Sequence, residues 1–143
     1  MSLCYLVYIS SSTRLMEDAD LAELLAQARE NNARNNITGM LLYKDGGFIQ
    51  VIEGEDEVVS SLHDKILKDS RHKSIITLLK GELESRQFSE WSMAFTNINS
   101  LNQVEREGFS EFLSESFNAD YFGKQPHDAL KLLLSFKRSY DKR

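Results

Sequence analysis

The sequence predicts an α+β fold with a ferredoxin-like β-α-β-β-α-β order and one extra strand. Apolar residues alternate in five short segments rich in β-formers, and they recur at helical spacing in two longer segments between them. A glycine-containing turn joins two of the strands directly, as the split βαβ pattern requires. With 143 residues, the chain suits one sheet-based core and little else.

The first strand and first helix are indicated by a change in the spacing of apolar residues. The strand is expected at Leu3–Ser10, and the SSST segment from Ser10 to Thr13 is expected to be a turn. A helix follows from about Glu17 to Glu30. Asn31 and Asn32 are expected to end it, because asparagine tolerates left-handed backbone geometry. The apolar stripe of this helix is Leu21, Leu24, Leu25 and Ala28.

A β-hairpin is predicted next in the chain. Its strands are Ile37–Lys44 and Phe48–Glu53, and the Asp45-Gly46-Gly47 turn supplies the positive φ that tight hairpins need. Gly54 is expected to break the second of these strands. A second helix, ending near Asp69, then carries the apolar stripe Val58, Leu62, Ile66 and Leu67.

The remaining strands complete a five-stranded mixed sheet. They are expected at Ile75–Leu83 and Trp91–Asn97. The sheet-forming unit 1–97 is followed by a segment 98–143 with two weaker helical patterns, separated by Pro126. We expect these two C-terminal helices to cap the other sheet face, since the third strand is apolar on both sides. Their stripes are Phe109, Phe112, Leu113 and Phe117, then Leu130, Leu133, Leu134 and Phe136.

The composition excludes several classes of function. A formal net charge of −5 argues against a nucleic-acid surface, and no apolar run is long enough to span a membrane. The three histidines and the single Cys4 have no metal-ligand spacing, so no metal is expected. No GxGxxG, P-loop, GxSxG or HExxH motif is present. The segment after residue 97 is too short for a catalytic domain, so we do not expect an enzyme. One cysteine and no signal-peptide pattern favour the cytoplasm.

Two polar residues are predicted to meet inside the sheet. Gln50 shares a strand face with Phe48 and Ile52, and Tyr8 lies on the first strand. In the split βαβ order the first and third strands are central neighbours, so Tyr8 and Gln50 can pair on one face. A tyrosine–glutamine pair leaves amide hydrogen-bonding capacity unused. Water or backbone can satisfy it, and so can a polar heterocycle.

Asn31 and Asn32 favour the heterocycle. Two adjacent amides at the end of a helix over the same sheet face suit the imide edge of a planar ring, although helix capping is the ordinary role of asparagine there. The sequence also leaves open two other classes of protein with a similar topology, neither of which would bind a coloured cofactor. An acylphosphatase-like enzyme would need a glycine in the loop after the first strand, and the Ser10–Arg14 loop of this sequence has none. An RNA-binding module is disfavoured by the acidic net charge.

The sequence resembles the BLUF family of blue-light sensors that use FAD, over roughly residues 1–97, and its tail resembles that of short PixD-type members. Five segments carry the resemblance in family order: LVYIS with Tyr8, NNARNNITGMLLY with Asn31 and Asn32, GGFIQVIEGE with Gln50, DSRH from Asp69 to His72, and WSM with Trp91 and Met93.

The resemblance implies a flavin ring between the two helices on one sheet face. Asn31 and Asn32 would bond the ring's carbonyl and N3 edge, and Gln50 would bridge its N5/O4 side and the Tyr8 hydroxyl. Lys65, where the family often has arginine, would contact the carbonyl edge or the ribityl side. The other implied cofactor-binding residues are Leu24, Ala28, Phe48, Ile66, Asp69, Arg71 and His72. The run Arg71-His72-Lys73 is also typical of a solvated basic turn.

The resemblance further implies a photoswitch and an output. Light would drive transfer of an electron and a proton from Tyr8 to the flavin, leaving Gln50 rearranged and the absorption slightly red-shifted. Trp91 or Met93 would relay the change towards the tail helices. The cofactor would be FAD, although FMN and riboflavin share the ring. The partners would be a second copy of the chain, forming a homo-oligomer, and a downstream protein.

Overall fold

The computed structural model describes residues 2–12, 16–44, 46–69, 72–88 and 94–97, and near the C-terminus residues 127, 129–131 and 133–134. Its elements in chain order are β1 (Leu3–Ser12), α1 (Asp18–Arg34), β2 (Thr38–Lys44), β3 (Gly47–Glu55), α2 (Asp56–Leu67), β4 (His72–Leu83) and β5 (Ala94–Asn97). Within these ranges, no helix is long and apolar enough to cross a lipid bilayer.

The strands form a sheet in the order β4-β1-β3-β2-β5. β1 runs antiparallel to both β3 and β4, β2 runs antiparallel to β3, and β5 pairs parallel with β2. The ferredoxin-like α+β fold predicted from the sequence is confirmed, including the central position of β1 and β3. Their register places Tyr8 directly opposite Gln50.

Helix α1 is longer than predicted, and the expectation that Asn31 and Asn32 end it was wrong. The helix continues to Arg34, with Asn35 as C-cap. The Asn31 carbonyl accepts hydrogen bonds from the Asn35 backbone N–H at 3.1 Å and from Asn35 Nδ2 at 2.8 Å. The left-handed conformation falls on Asn36, with φ 56°. Tolerance of that geometry is only a preference, and here Asn36 adopts it after Asn35 has capped the helix.

Strands β1 and β3 also extend further than predicted. Ser10–Ser12 is not a turn, because Ser11 pairs with Gly47 and the Ser12 N–H donates to the Gly46 carbonyl at 2.8 Å. Gly54 does not break β3, since it is paired with Cys4. Both strands lie between two neighbours, so ladder hydrogen bonds on two sides outweigh the weak local preferences of serine and glycine.

The sheet has a buried core on each face. On the face covered by α1 and α2, the buried residues are Cys4, Leu6, Tyr8, Leu21, Leu24, Leu25, Ile37, Leu41, Tyr43, Phe48, Ile52 and Val59. On the opposite face they are Val7, Ile9, Met40, Leu42, Ile49, Val51, Phe88, Ala129 and Leu133. β3 is therefore buried on both sides, as its sequence predicted.

Part of the predicted C-terminal cap is visible on that second face. The described residues between His127 and Leu134 are helical, and Ala129 and Leu133 are fully buried against the sheet. The complete two-helix cap stays a prediction, because the rest of segment 98–143 lies outside the described residues. Trp91 and Met93, the predicted relay residues, lie outside them as well.

A buried carboxylate fixes the chain that leaves β4. Glu53 is only 1% exposed, and its side chain accepts hydrogen bonds from the Thr38 hydroxyl at 3.1 Å and from the backbone N–H groups of Gln87 at 2.8 Å and Phe88 at 2.9 Å. Arg86 adds bonds to the Thr38 hydroxyl and the Glu53 carbonyl. This network holds Phe88 in the core of the second face.

Candidate flavin-binding cleft

A cleft opens between α1 and α2, above the centre of the sheet. It contains about 710 Å³ of atom-free space, which includes open solvent at its mouth. Its lining comprises Leu24, Gln27, Ala28, Asn31 and Asn32 from α1, Leu62, Lys65 and Ile66 from α2, Asp69 just beyond α2, and Tyr8, Leu41 and Gln50 from the sheet. Apolar walls with a few polar groups suit a planar aromatic ligand.

Tyr8 and Gln50 form the floor of the cleft. Strand pairing places them opposite each other, and the Tyr8 hydroxyl donates a hydrogen bond to Gln50 Oε1. Tyr8 is 1% exposed and Gln50 is 7% exposed. Burial raises the pKa of the Tyr8 hydroxyl well above its ordinary value, and the charge of Asp69 raises that pKa further. Tyr8 is therefore a neutral hydrogen-bond donor at physiological pH.

The amide of Gln50 is not by itself a sign of a ligand. Among the described residues, no buried side-chain nitrogen or oxygen lacks a hydrogen-bond partner. Each of these buried atoms therefore has at least one partner within the described part of the chain. What points to a ligand is the cleft above the pair, because both hydrogen-bonded residues line it.

The two asparagines line the same cleft from the last turns of α1. Asn32 is buried, whereas Asn31 is exposed and its side-chain oxygen accepts a hydrogen bond from Arg34 Nη2 at 2.9 Å. The helix carries both amides to the cleft without using them as its cap, because Asn35 has that role. Both residues therefore line the cleft in addition to belonging to the last turns of α1.

Nine of the predicted site residues meet in this cleft: Tyr8, Leu24, Ala28, Asn31, Asn32, Gln50, Lys65, Ile66 and Asp69. Phe48 is placed elsewhere: it is fully buried on the same face, 5.0 Å between ring centroids from Tyr43, and is not among the lining residues. His72 begins β4, but its side chain is not described, and Arg71 lies outside the described residues.

Three lining residues were missed by the sequence analysis: Gln27, Leu41 and Leu62. Gln27 lies one helical turn before Asn31, so the i, i+4 spacing on α1 was a usable signal. Leu41 stands opposite Gln50 in the β2–β3 pairing. Leu62 was assigned to the core stripe of α2. Only the tertiary structure shows that this stripe also forms a wall of the cleft.

The described residues contain no cluster of histidine, cysteine, aspartate or glutamate that could hold a metal ion. The polar side chains that line the cleft are a phenol, several amides, one ammonium and one carboxylate. Such a set can orient a heterocycle and rearrange hydrogen bonds to it.

Comparison with known proteins identifies the class. The family model described as sensors of blue light using FAD, BLUF, matches residues 3–94. The match covers more than half of the chain, so the chain belongs to the BLUF family, and its cofactor is FAD. The residues fit this group: the cleft offers two apolar walls for the ring and amide groups for its polar edge.

Individual relatives agree with this assignment. The chain is 37% identical over 93 residues to the beta subunit of a photoactivated adenylate cyclase from Euglena longa, with 64% of this chain and 11% of that protein aligned. It thus spans about a tenth of the length of this curated relative. The dark-state structure of the BLUF protein BlrB superposes with a TM-score of 0.76, 29% identity and coverage of 96% of this chain and 97% of BlrB.

A second solved structure has a similar extent. The photo-activated state of BlsA matches with a TM-score of 0.74 and 34% identity, covering 92% of this chain and 91% of BlsA.

Proposed function

We propose that this chain is a blue-light receptor in which Tyr8 and Gln50 are the photoswitch and in which a separate protein receives the signal. The observation that carries the proposal is the hydrogen bond from the buried Tyr8 hydroxyl to Gln50 at the floor of the cleft. It links a possible electron and proton donor to an amide that can bond in two arrangements.

The cleft residues have separate roles in holding the ring. Asn31, Asn32 and Lys65 bond its polar edge, and Gln50 contacts it from the floor. Leu24 and Ile66, on opposite helices, pack against its faces, and Ala28 lies beside Leu24 on α1. Arg71 and His72 interact with the ribityl chain and phosphates. The ring is common to FAD, FMN and riboflavin, so all three would occupy the cleft.

The switch uses the chemistry of the protein's own side chains. The bound flavin supplies light absorption and electron-accepting chemistry. Tyr8 gives up an electron together with its hydroxyl proton, and the Gln50 amide relays that proton because it already accepts the Tyr8 hydrogen bond. When the electron and proton return to Tyr8, Gln50 is left with rearranged hydrogen bonds. Burial of the pair keeps bulk water from competing for them.

The output is proposed to pass through the sheet to another protein. β5 lies beside β2, which lines the cleft through Leu41, so Trp91 or Met93 just before β5 can relay the change. The curated relatives are light-activated cyclases many times longer than the aligned segment, which supports coupling of this unit to an effector. We propose a cytoplasmic homo-oligomer that signals to such a partner and has no catalytic activity of its own.

Two substitutions test the switch. Tyr8→Phe and Gln50→Leu should each retain flavin but lose the small reversible red shift after blue light, because each removes one end of the hydrogen bond. The shift is measured by absorption spectroscopy before and after illumination.

Tyr43→Phe is the matched control. Tyr43 is equally buried on the same face, but its hydroxyl accepts a hydrogen bond from the Met16 N–H and does not line the cleft. This variant should keep the full red shift. A normal shift in Tyr8→Phe would remove Tyr8 from the mechanism, and a normal shift in Gln50→Leu would remove the glutamine.

A further inference from the structure

A histidine stands on the side of Tyr8 opposite to Gln50. The His63 ring on α2 lies 6.4 Å from the Tyr8 ring between centroids, with a tilt of 48°. Its Nε2 is 3.3 Å from the Thr77 hydroxyl on β4, and Thr77 is the β4 partner of Tyr8 in the strand pairing. Since Gln50 is the β3 partner of Tyr8, the phenol lies between an amide on one strand and an imidazole held over the other.

We propose that His63 is a charge-tuning and positioning residue of the photoswitch, whose protonation lowers the yield of the light-induced state. This proposal rests on the proposed role of Tyr8 as electron donor. His63 does not line the cleft, so it acts through Tyr8 and not by touching the flavin.

The sign of the effect follows from electrostatics. Removing an electron from a neutral phenol creates positive charge on it, and an imidazolium a few ångströms away opposes that charge. A neutral imidazole does not. Tyr8 is desolvated, so little water screens the two groups on the tyrosine side. His63 is half-buried, so its ring is in contact with solvent.

Other charged groups lie near this pair on α2, on β4 and just beyond α2. β4 carries Lys80 opposite Leu6 on the same face, the helix of His63 carries Asp64 and Lys65, and Asp69 acts electrostatically on Tyr8. Carboxylates and ammonium groups ordinarily keep their charge from about pH 5 to pH 8, whereas imidazole changes its charge there. A pH-dependent yield in this interval would therefore report a histidine.

The hydrogen bond to Thr77 adds a positioning role. In the neutral ring Nε2 can accept from the Thr77 hydroxyl or donate to it, whereas the protonated ring can only donate. The bond fixes the imidazole beside Tyr8 in both states. The Thr77 hydroxyl on β4 thereby helps to hold the imidazole of α2 near the phenol.

The test uses the full chain loaded with flavin and measures the yield of the red-shifted state per absorbed photon from about pH 5.5 to pH 8. The wild-type yield should fall several-fold at the acidic end along a single ionisation curve. His63→Gln and His63→Phe should both stay near the high-pH value throughout, because neither side chain takes up a proton. His127→Gln is the matched control, since His127 is an exposed histidine in the C-terminal helix, and it should follow the wild-type curve.

A second readout does not depend on photochemistry. In the dark holoprotein, the NMR signal of the Tyr8 ring carbon that bears the hydroxyl should move with pH at the same midpoint as the yield, and should not move in His63→Gln. A wild-type pH profile retained in either His63 variant would overturn the proposal, as would a wild-type yield that is constant across the interval. Failure of the proposed function is distinguishable, because Tyr8→Phe would then keep its red shift.

Discussion

At the scale of single residues, the position of Tyr8 follows from strand parity, while its chemistry follows from its surroundings. The sequence indicates that Tyr8 and Gln50 lie on facing central strands, and the register confirms that they pair. The sequence cannot show that Asp69, far along the chain, acts on the hydroxyl, or that His63 packs beside the ring. Those contacts depend on how α2 is placed over β1.

The raised pKa of Tyr8 has a consequence for stability at alkaline pH. Its folded-state pKa exceeds that of the unfolded chain, so above about pH 10 the unfolded chain releases a proton that the folded chain keeps. This contribution to stability is intact below the unfolded-state pKa and is lost as pH rises towards the folded-state pKa. Wild type should lose about 2 kcal/mol more than Tyr8→Phe between about pH 10 and pH 12.

The measurement is urea denaturation at several pH values in that range. Asp69→Asn should reduce the difference, because the Asp69 charge contributes to the raised pKa of Tyr8. Equal losses in wild type and Tyr8→Phe would show that the phenol ionises as readily in the folded chain as in the unfolded one.

At the scale of secondary-structure elements, the sequence predicted the kind of each element better than its ends. The helix α1 passes through Asn31 and Asn32, and β3 passes through Gly54, because packing and ladder hydrogen bonds override local preferences. Gly39 and Gly54 illustrate what local sequence does not reveal. Both are glycines within strands, yet only at Gly39 does the structure leave no room for a side chain.

Gly39→Ala should destabilise the protein by about 1–3 kcal/mol, because a Cβ at Gly39 would overlap the carbonyl oxygen of Val51 on the paired strand. Gly54→Ala is the matched control: its Cβ would stand 3.4 Å from side-chain carbons of Ile37 and Val59, an ordinary contact. It should change stability by less than about 1 kcal/mol. Urea denaturation of both variants is the measurement, and equal effects would contradict the close β2–β3 approach at Gly39.

At the scale of the whole molecule, the sheet is closed on two faces by different parts of the chain. The helices between the strands cover one face and form the cleft. Phe88, Ala129 and Leu133 cover the other. Ala129 and Leu133, which lie beyond residue 97, are thus buried in the same core as the strands.

Leu133→Ala should lower the free energy of unfolding by about 2–5 kcal/mol, because Leu133 is fully buried against the second face. Leu67→Ala, at a position 51% exposed at the end of α2, should change it by no more than about 0.5 kcal/mol. Thermal and urea denaturation compare the two. A small effect at Leu133 would show that the tail adds little to the core.

The sequence by itself determined the order of the elements, the central pairing of β1 with β3, and the residues Tyr8 and Gln50 that meet there. Periodicity and side-chain parity are local and can be read from spacing alone. Tertiary structure decided the roles of Gln27, Leu62 and His63, the buried network of Glu53, and where the helices and strands end. Each of these depends on the placement of one element over another, and packing between distant segments leaves no periodic trace in the sequence.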